Sequence, residues 1–340
     1  MSAENSFERR EMRKKTLGRT GLEVSIVGLG GANLGLATPD MPVRQYIETP
    51  AITLMDTELG VSAVVTALEN GATLIDTAPK YGAGGSEKII GEALRRRPDL
   101  ARNCIVTTKI GCLYSGDGYD FSYDAAMRSV EGSIDRLGKD HFSVLYLHDP
   151  QDTDAGMEFV MSDRGVMGAL RKLKRDGVID WIGLAADEPE TTADYLETGE
   201  FDVATVSGAW SMICQTATRR ILPAAERHTT GIVVTTAIER GLLVTGKPIP
   251  GLQYLNRNFP PDLIEHVAKL EALCREFNVP LVAVALQWAT RDPRVHSAVP
   301  GGRTPEEVKM NTLAGRIAIP EELWTKISED KLIRHWDVRV

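Results

Sequence analysis

Cysteine and aromatic side chains are scarce in this sequence of 340 residues: there are four cysteines, and aromatics make up 6%. Cys104, Cys112, Cys214 and Cys274 lie far apart, with no Cys-x-x-Cys and no histidine at ligand spacing. A disulfide framework and a cysteine metal cluster are therefore excluded as organising devices, and reduced thiols in a cytoplasmic protein without a metal are expected. No apolar run approaches the length that spans a bilayer, so membrane insertion is not expected. Positive charge is also in deficit, with 39 Lys and Arg against 47 Asp and Glu and a net charge of -8. That balance gives no electrostatic pull toward nucleic acid or anionic lipid.

The composition that remains is that of a globular protein, 43% hydrophobic and 25% charged. Residues 1–15 are charged and lack a signal-peptide core, and read as a flexible leader. Thr16-Leu17-Gly18-Arg19-Thr20-Gly21-Leu22-Glu23-Val24 has the glycine spacing of a small β-hairpin. The next apolar stretch, Ser25 to Gly31, contains Gly28-x-Gly30. A dinucleotide fingerprint would need its third glycine at Asn33 and a helix beginning there, and neither is present. Residues 36–56 hold three prolines and read as a loop.

From there strand and helix alternate. Strands are predicted at 25–31, 74–76, 104–109, 142–148, 179–185, 202–206, 231–236 and 295–300. Helices are predicted at 61–68, 86–97, 122–137, 163–176, 191–196, 216–227, 262–278, 281–291 and 305–313. Ser86 is expected to cap the second of these. Eight such units, with no linker between them, predict one closed (β/α)8 TIM barrel over residues 16–340, opening on a short β-hairpin.

In such a barrel chemistry sits at the carboxyl ends of the strands. Asp76, Lys109 and His148 occupy those ends in three successive strands, and Tyr81 follows the first. Singly, each has a plain structural role available: a loop cap, a solvated cation, a packed ring, a core histidine. Together they make a proton-handling site. A lysine ammonium beside a phenol lowers its pKa, an aspartate keeps that lysine charged, and a histidine hydrogen-bonds the same substrate oxygen. No side chain can supply hydride, so redox chemistry at this site requires a nicotinamide. The turn Pro300-Gly301-Gly302-Arg303-Thr304-Pro305-Glu306-Glu307 leads into a helix and is the predicted phosphate anchor.

These motifs, with their order and spacing, give a sequence that resembles the aldo-keto reductase superfamily, from Leu17-Gly18-Arg19-Thr20-Gly21 to Val308-Lys309-Met310-Asn311. Leu147-His148-Asp149-Pro150 and the sixth strand are similar to the branch of sugar (D-threo-aldose, L-fucose, L-galactose) and pyridoxal dehydrogenases. The resemblance implies that Asp76, Tyr81, Lys109 and His148 are catalytic, with Tyr81 as general acid or base. It implies NAD or NADP as cofactor, at Gly30, Gly31, Ala185, Ser207, Gly241, Leu242, Pro300, Gly301, Gly302, Arg303, Glu307 and Asn311. A small polar aldehyde, alcohol or lactol would meet Lys80, Asp149, Trp210 and the loop at 114–121, with the Trp210 ring stacked on a sugar face.

The sequence departs from that family where the nicotinamide is held. Ala185-Ala186 replace a Ser-Asn pair, Thr205 or Ser207 a glutamine, and the Thr236-Ala237 region lacks a stacking tyrosine. Gly301 and Glu307 stand where NADP-dependent relatives place a basic pair, so NAD is the expected cofactor. A homo-oligomer is compatible with the sequence. The rival readings are a non-catalytic NAD(P)-binding subunit, for which a tuned tyrosine is unneeded, and a metal-dependent hydrolase. The six histidines, scattered at 141, 148, 228, 266, 296 and 335, do not supply the ligands for the latter.

Overall fold

The computed structural model describes residues 10–36, 55–112, 118–152, 156–249 and 257–338. Strands β1 (Lys14–Thr16) and β2 (Glu23–Ser25) pair antiparallel around a 3-10 turn at Gly18–Thr20. Eight parallel strands follow: β3 (Leu29–Gly30), β4 (Leu74–Asp76), β5 (Ile105–Ile110), β6 (Phe142–His148), β7 (Ile179–Ala186), β8 (Val203–Val206), β9 (Gly231–Val234) and β10 (Val295–Ala298). Their order in space is their order in sequence. The ring closes where Val27 and Gly30 bridge Ala298 and Gly301, with Gly28 N donating to Ala298 O at 2.9 Å and Gly30 N to Pro300 O at 3.0 Å. This is the expected (β/α)8 barrel with its hairpin.

Parallel strands covered on both faces should be apolar throughout, and β6 is buried at six of its seven residues. Val144 and Tyr146 point into the barrel, where they join Leu74, Val203, Val233 and Val299. Leu145 and Leu147 point outward into the larger core under the helices. The hairpin adds Leu17 and Val24 to the inner cluster and so plugs the amino-terminal end of the barrel. Gly18 makes that seat possible: at φ +52° it lies so close to β9 that a Cβ would stand 2.3 Å from the Gly231 nitrogen.

Helix ends follow local chemistry. Ser122 Oγ accepts from Ala125 N at 3.3 Å to start Tyr123–Leu137, and Gly138 at φ +63° ends it. Ser86 does not cap. Its helix begins at Gly85, and Ser86 Oγ instead donates to Gly31 O at 2.8 Å and meets Thr77 Oγ1 at 2.7 Å. The predicted helix at 216–227 is split into a 3-10 turn at Thr216–Thr218 and a helix at Ile221–His228, because Pro223 is tolerated only in a first turn. Short helices at Gly156–Met161 and Leu242–Thr245, and one at Glu321–Glu329, lie outside the predicted set.

Part of the expected leader belongs to the fold. Met12 is buried, Arg10 N donates to Arg316 O at 2.8 Å, and Lys15 Nζ donates to the carbonyls of Thr290 and Val295, both at 2.7 Å. Most of the predicted loop at 36–56, residues 37–54, lies outside the described residues.

Candidate active site

Strand geometry delivers the four ionisable groups to one place. Asp76 is the last residue of β4, His148 the last of β6, and Lys109 the penultimate residue of β5 between them. Tyr81 sits on a loop of left-handed residues, Gly82, Ala83 and Gly84 at φ +57°, +46° and +79°, which Ser86 ties to Thr77 and Gly31. The loop is thus fixed at its base, and its aromatic ring is presented to the strand ends.

Lys109 organises the site. Its ammonium donates to Asp76 Oδ2 at 2.6 Å, to Thr77 O at 2.8 Å and to the Tyr81 hydroxyl at 3.3 Å, so all three of its donors are directed. It is 2% exposed and Asp76 3% exposed. Removing both charges from water is costly, and their direct pairing with these hydrogen bonds offsets part of the cost. Thr107 Oγ1 donates to the other Asp76 oxygen at 2.9 Å, which fixes the carboxylate plane.

The Tyr81 phenol differs from expectation. Burial pushes its pKa well above the ordinary value, and the charges of Asp76, Asp149, Asp187 and Cys112 push it further in the same direction. Burial and these negative groups together outweigh the predicted lowering by Lys109. The phenol is accordingly a proton donor at neutral pH. His148 packs edge-on to the Tyr81 ring, with centroids 6.1 Å apart. Burial, and then the Lys109 and Lys80 charges, hold its pKa well below the usual value, so the imidazole is neutral. Its Nδ1 has no hydrogen-bond partner among the described residues.

These groups line a cavity of about 190 Å³. Gly30, Gly31, Ala185, Ser207 and Gly301 of the predicted cofactor set line it, with Lys80 and Asp149 of the predicted substrate set. Lys80 is held by the Tyr119 hydroxyl at 2.9 Å. A second cavity of about 310 Å³ shares Asn33, Thr235, Thr236, Arg240 and Gly301 with the first, and reaches Gly241, Gly302, Arg303, Glu307 and Asn311. The two form one groove across the barrel seam. Glycines keep its floor low, since a Cβ on Gly301 would stand 3.3 Å from the Asn33 amide nitrogen. Two buried amide oxygens, Asn33 Oδ1 and Asn311 Oδ1, have no hydrogen-bond partner among the described residues. A long ligand with amino donors fits such a groove, and a nicotinamide dinucleotide is one.

Three residues of the predicted sets line neither cavity. Trp210 is packed away from the cavities: its ring stacks on Trp288 at 5.0 Å, its Nε1 donates to Ala289 O at 2.9 Å, and it is 6% exposed. The Leu242 side chain is fully buried in the larger core. Pro300 uses its carbonyl to close the barrel and lines neither cavity. Conversely, Asn33, Asp187, Thr235 and Arg240 were not among the predicted contacts. Asp187 directly follows β7, so the strand-end rule that found His148 also points to it.

At the far end of the groove Thr304 Oγ1 accepts from Glu307 N at 3.3 Å and caps the helix Pro305–Ala314. Glu307 accepts from Arg303 N at 2.9 Å and from its guanidinium Nη2 at 2.5 Å. Burial works to raise the Glu307 pKa, but these hydrogen bonds keep it below the usual carboxylate value.

Comparison with known proteins agrees with this geometry. The Aldo/keto reductase family profile matches residues 27–330. The chain is 30% identical to pyridoxal 4-dehydrogenase of Microbacterium luteolum, covering 94% of this chain and 98% of that one. It is 28% identical to D-threo-aldose 1-dehydrogenase of a Pseudomonas species, covering 92% and 96%. The holo form of an aldo-keto reductase from Bacillus halodurans superposes with a TM-score of 0.72 at 25% identity, covering 95% and 96%. Among the described residues no helix is long and apolar enough to cross a membrane. With the profile spanning almost the whole barrel and curated relatives matched over nearly their full length, this chain belongs to the aldo/keto reductase family of oxidoreductases.

Proposed function

We propose that the chain catalyses hydride transfer between a nicotinamide cofactor and a small polar carbonyl or carbinol, an aldose or lactol being the favoured class, with Tyr81 as general acid or base. The observation that carries this is the Lys109 ammonium, bonded at once to Asp76, Thr77 O and the Tyr81 hydroxyl in a cavity shared with His148. A bound nicotinamide supplies or accepts the hydride. In the reductive direction the Tyr81 hydroxyl gives its proton to the substrate oxygen, and Lys109 stabilises the phenolate left behind. The neutral His148 imidazole offers a ring N–H to the same oxygen. In the oxidative direction Tyr81 takes the proton back.

The substrate class rests on the cavity wall, where Asp149, Asp187, Lys80 and Arg240 surround a small space. Such a wall suits several hydroxyls better than an apolar chain. NAD is the favoured cofactor. To grip a ribose phosphate, Arg303 would have to leave Glu307, whose carboxylate would repel that phosphate and is suited to accept from a ribose hydroxyl. A panel of aldoses, pyridoxal and simple aldehydes, run in both directions with each cofactor, tests the reading. Turnover of a sugar or pyridoxal with NAD favoured is expected; cofactor binding without any turnover would refute it.

A further inference from the structure

Sequence spacing hides one set of metal-ligating side chains. Cys112 and His148 are far apart in sequence, yet the ends of β5 and β6 are neighbours. Gly111, at φ +117°, turns the chain back across the end of β6 so closely that a Cβ there would stand 3.0 Å from His148 O. That turn places Cys112 beside Asp149. Ligand atoms of Cys112, His148 and Asp149 all lie within 4.8 Å of one another, and all three residues are buried.

We propose that these three side chains form a binding site for one thiophilic divalent cation, Zn2+, at the edge of the catalytic cavity. Asp149 Oδ2 lies 3.5 Å from His148 Nε2 and 4.0 Å from Cys112 Sγ, at or beyond the limit for a good hydrogen bond. In a tetrahedral zinc site, bonds of about 2.0 Å to nitrogen and oxygen and about 2.3 Å to sulfur set ligand atoms ~3.3 to 3.6 Å apart. With every pair within 4.8 Å, the set needs a contraction of at most about 1.2 Å at its widest pair to meet that geometry. One thiolate, one imidazole and one carboxylate make a donor set suited to zinc rather than to Mg2+ or Ca2+. Three protein ligands leave a fourth position, open to water from the cavity that His148 and Asp149 line.

Binding does not depend on the proposed reaction; its consequence does. A cation held here takes the His148 ring nitrogen and the Asp149 carboxylate away from a substrate, so Zn2+ is a reversible inhibitor that a chelator removes.

The test uses metal-stripped, cofactor-free protein titrated with Co2+ as a spectroscopic probe. One equivalent should give a near-ultraviolet thiolate-to-cobalt band that Zn2+ displaces. Cys112→Ser and Cys112→Ala should lose the band, with thermal unfolding checking that both variants fold, whereas Cys104→Ala should keep it. In assays, Cys112→Ser should raise the Zn2+ concentration for half-inhibition by about tenfold or more, the effect of losing one ligand contact worth ~1.4 kcal/mol. Absence of the band from the unmodified protein, or its survival in Cys112→Ser, would overturn the proposal. Because the titration is read without turnover, a failed substrate panel leaves it standing.

Discussion

The two ends of the barrel use the same eight strands and carry opposite chemistry. At the amino-terminal end the hairpin residues Leu17 and Val24 close over Leu74, Val144, Val203 and Val233, an apolar packing that gains stability from every methylene removed from water. At the carboxyl end, Asp76, Lys109, His148 and Asp149 are nearly as well buried, and every one of them is polar. Burying such groups costs desolvation that pairing only partly returns, so stability does not explain their presence. The comparison teaches that burial has two uses in this fold: below, it is the driving force for folding; above, it shifts the proton affinities of Tyr81 and His148.

Substitutions at the two ends should therefore separate activity from stability. Tyr81→Phe is expected to lower kcat by roughly 10²- to 10⁴-fold, with cofactor affinity and unfolding temperature nearly unchanged, as steady-state kinetics, fluorescence titration and calorimetry would show. Near-normal turnover would remove Tyr81 from the mechanism. Lys109→Met crosses the divide. It should abolish most activity and also cost about 3 to 5 kcal/mol in denaturant unfolding, because Asp76 is left buried without its cation. If its stability matches the parent protein, Asp76 must be accommodated in another way.

Leu17→Ala at the lower end should cost about 2 to 5 kcal/mol by cavity formation and leave kcat unchanged at temperatures where the variant is folded. Loss of turnover there would mean that the ends are coupled. Two titrations extend the contrast. The His148 pKa is depressed in the fold, so the unfolded chain binds the extra proton first. Its contribution is intact above the unfolded value of about 6.5 and is lost as pH falls below it, measurable as a declining unfolding free energy. The Tyr81 pKa is raised, so the phenolate needed for oxidation is scarce at neutral pH. The oxidative rate should climb with pH without levelling below the ordinary phenol value of ~10. A plateau near neutrality would show that Lys109 dominates after all. The smallest effect is expected from Glu307→Gln, which should improve the NADPH-to-NADH ratio of kcat/KM by several-fold, about 1 kcal/mol, by removing one negative charge.

How much of this was legible in the sequence depended on what each inference required. Apolar runs and turn residues are local, and they placed all eight strands. Position at a strand's carboxyl end then sufficed for Asp76, Lys109 and His148, since topology alone carries those residues to the mouth. The placing of Trp210 was not legible, because being near the mouth does not determine which way a ring points; here the ring stacks on Trp288 and its Nε1 donates to the Ala289 carbonyl. Ser86 was misplaced for a related reason: a hydroxyl at a helix start has the local amide as one option, and here Gly31 O and Thr77 won. The phenol pKa required the full set of surrounding charges, of which Asp187 was not in view.

The barrel seam bears on how the chain reaches this state. Closure joins residues 27–30 to residues 298–301, so the first barrel strand waits, edge exposed, until the last barrel strand has been made. During synthesis that edge is an aggregation hazard which only the last strand removes. The proposed cofactor groove lies over the same joint, with Gly30 and Gly31 on one side and Gly301 and Gly302 on the other. A dinucleotide bound there would act as a clasp on a ring. It should slow hydrogen exchange at Gly28 and Ala298, far more than at the middle of β6, and so help to hold together the joint between the first and last strands of the barrel.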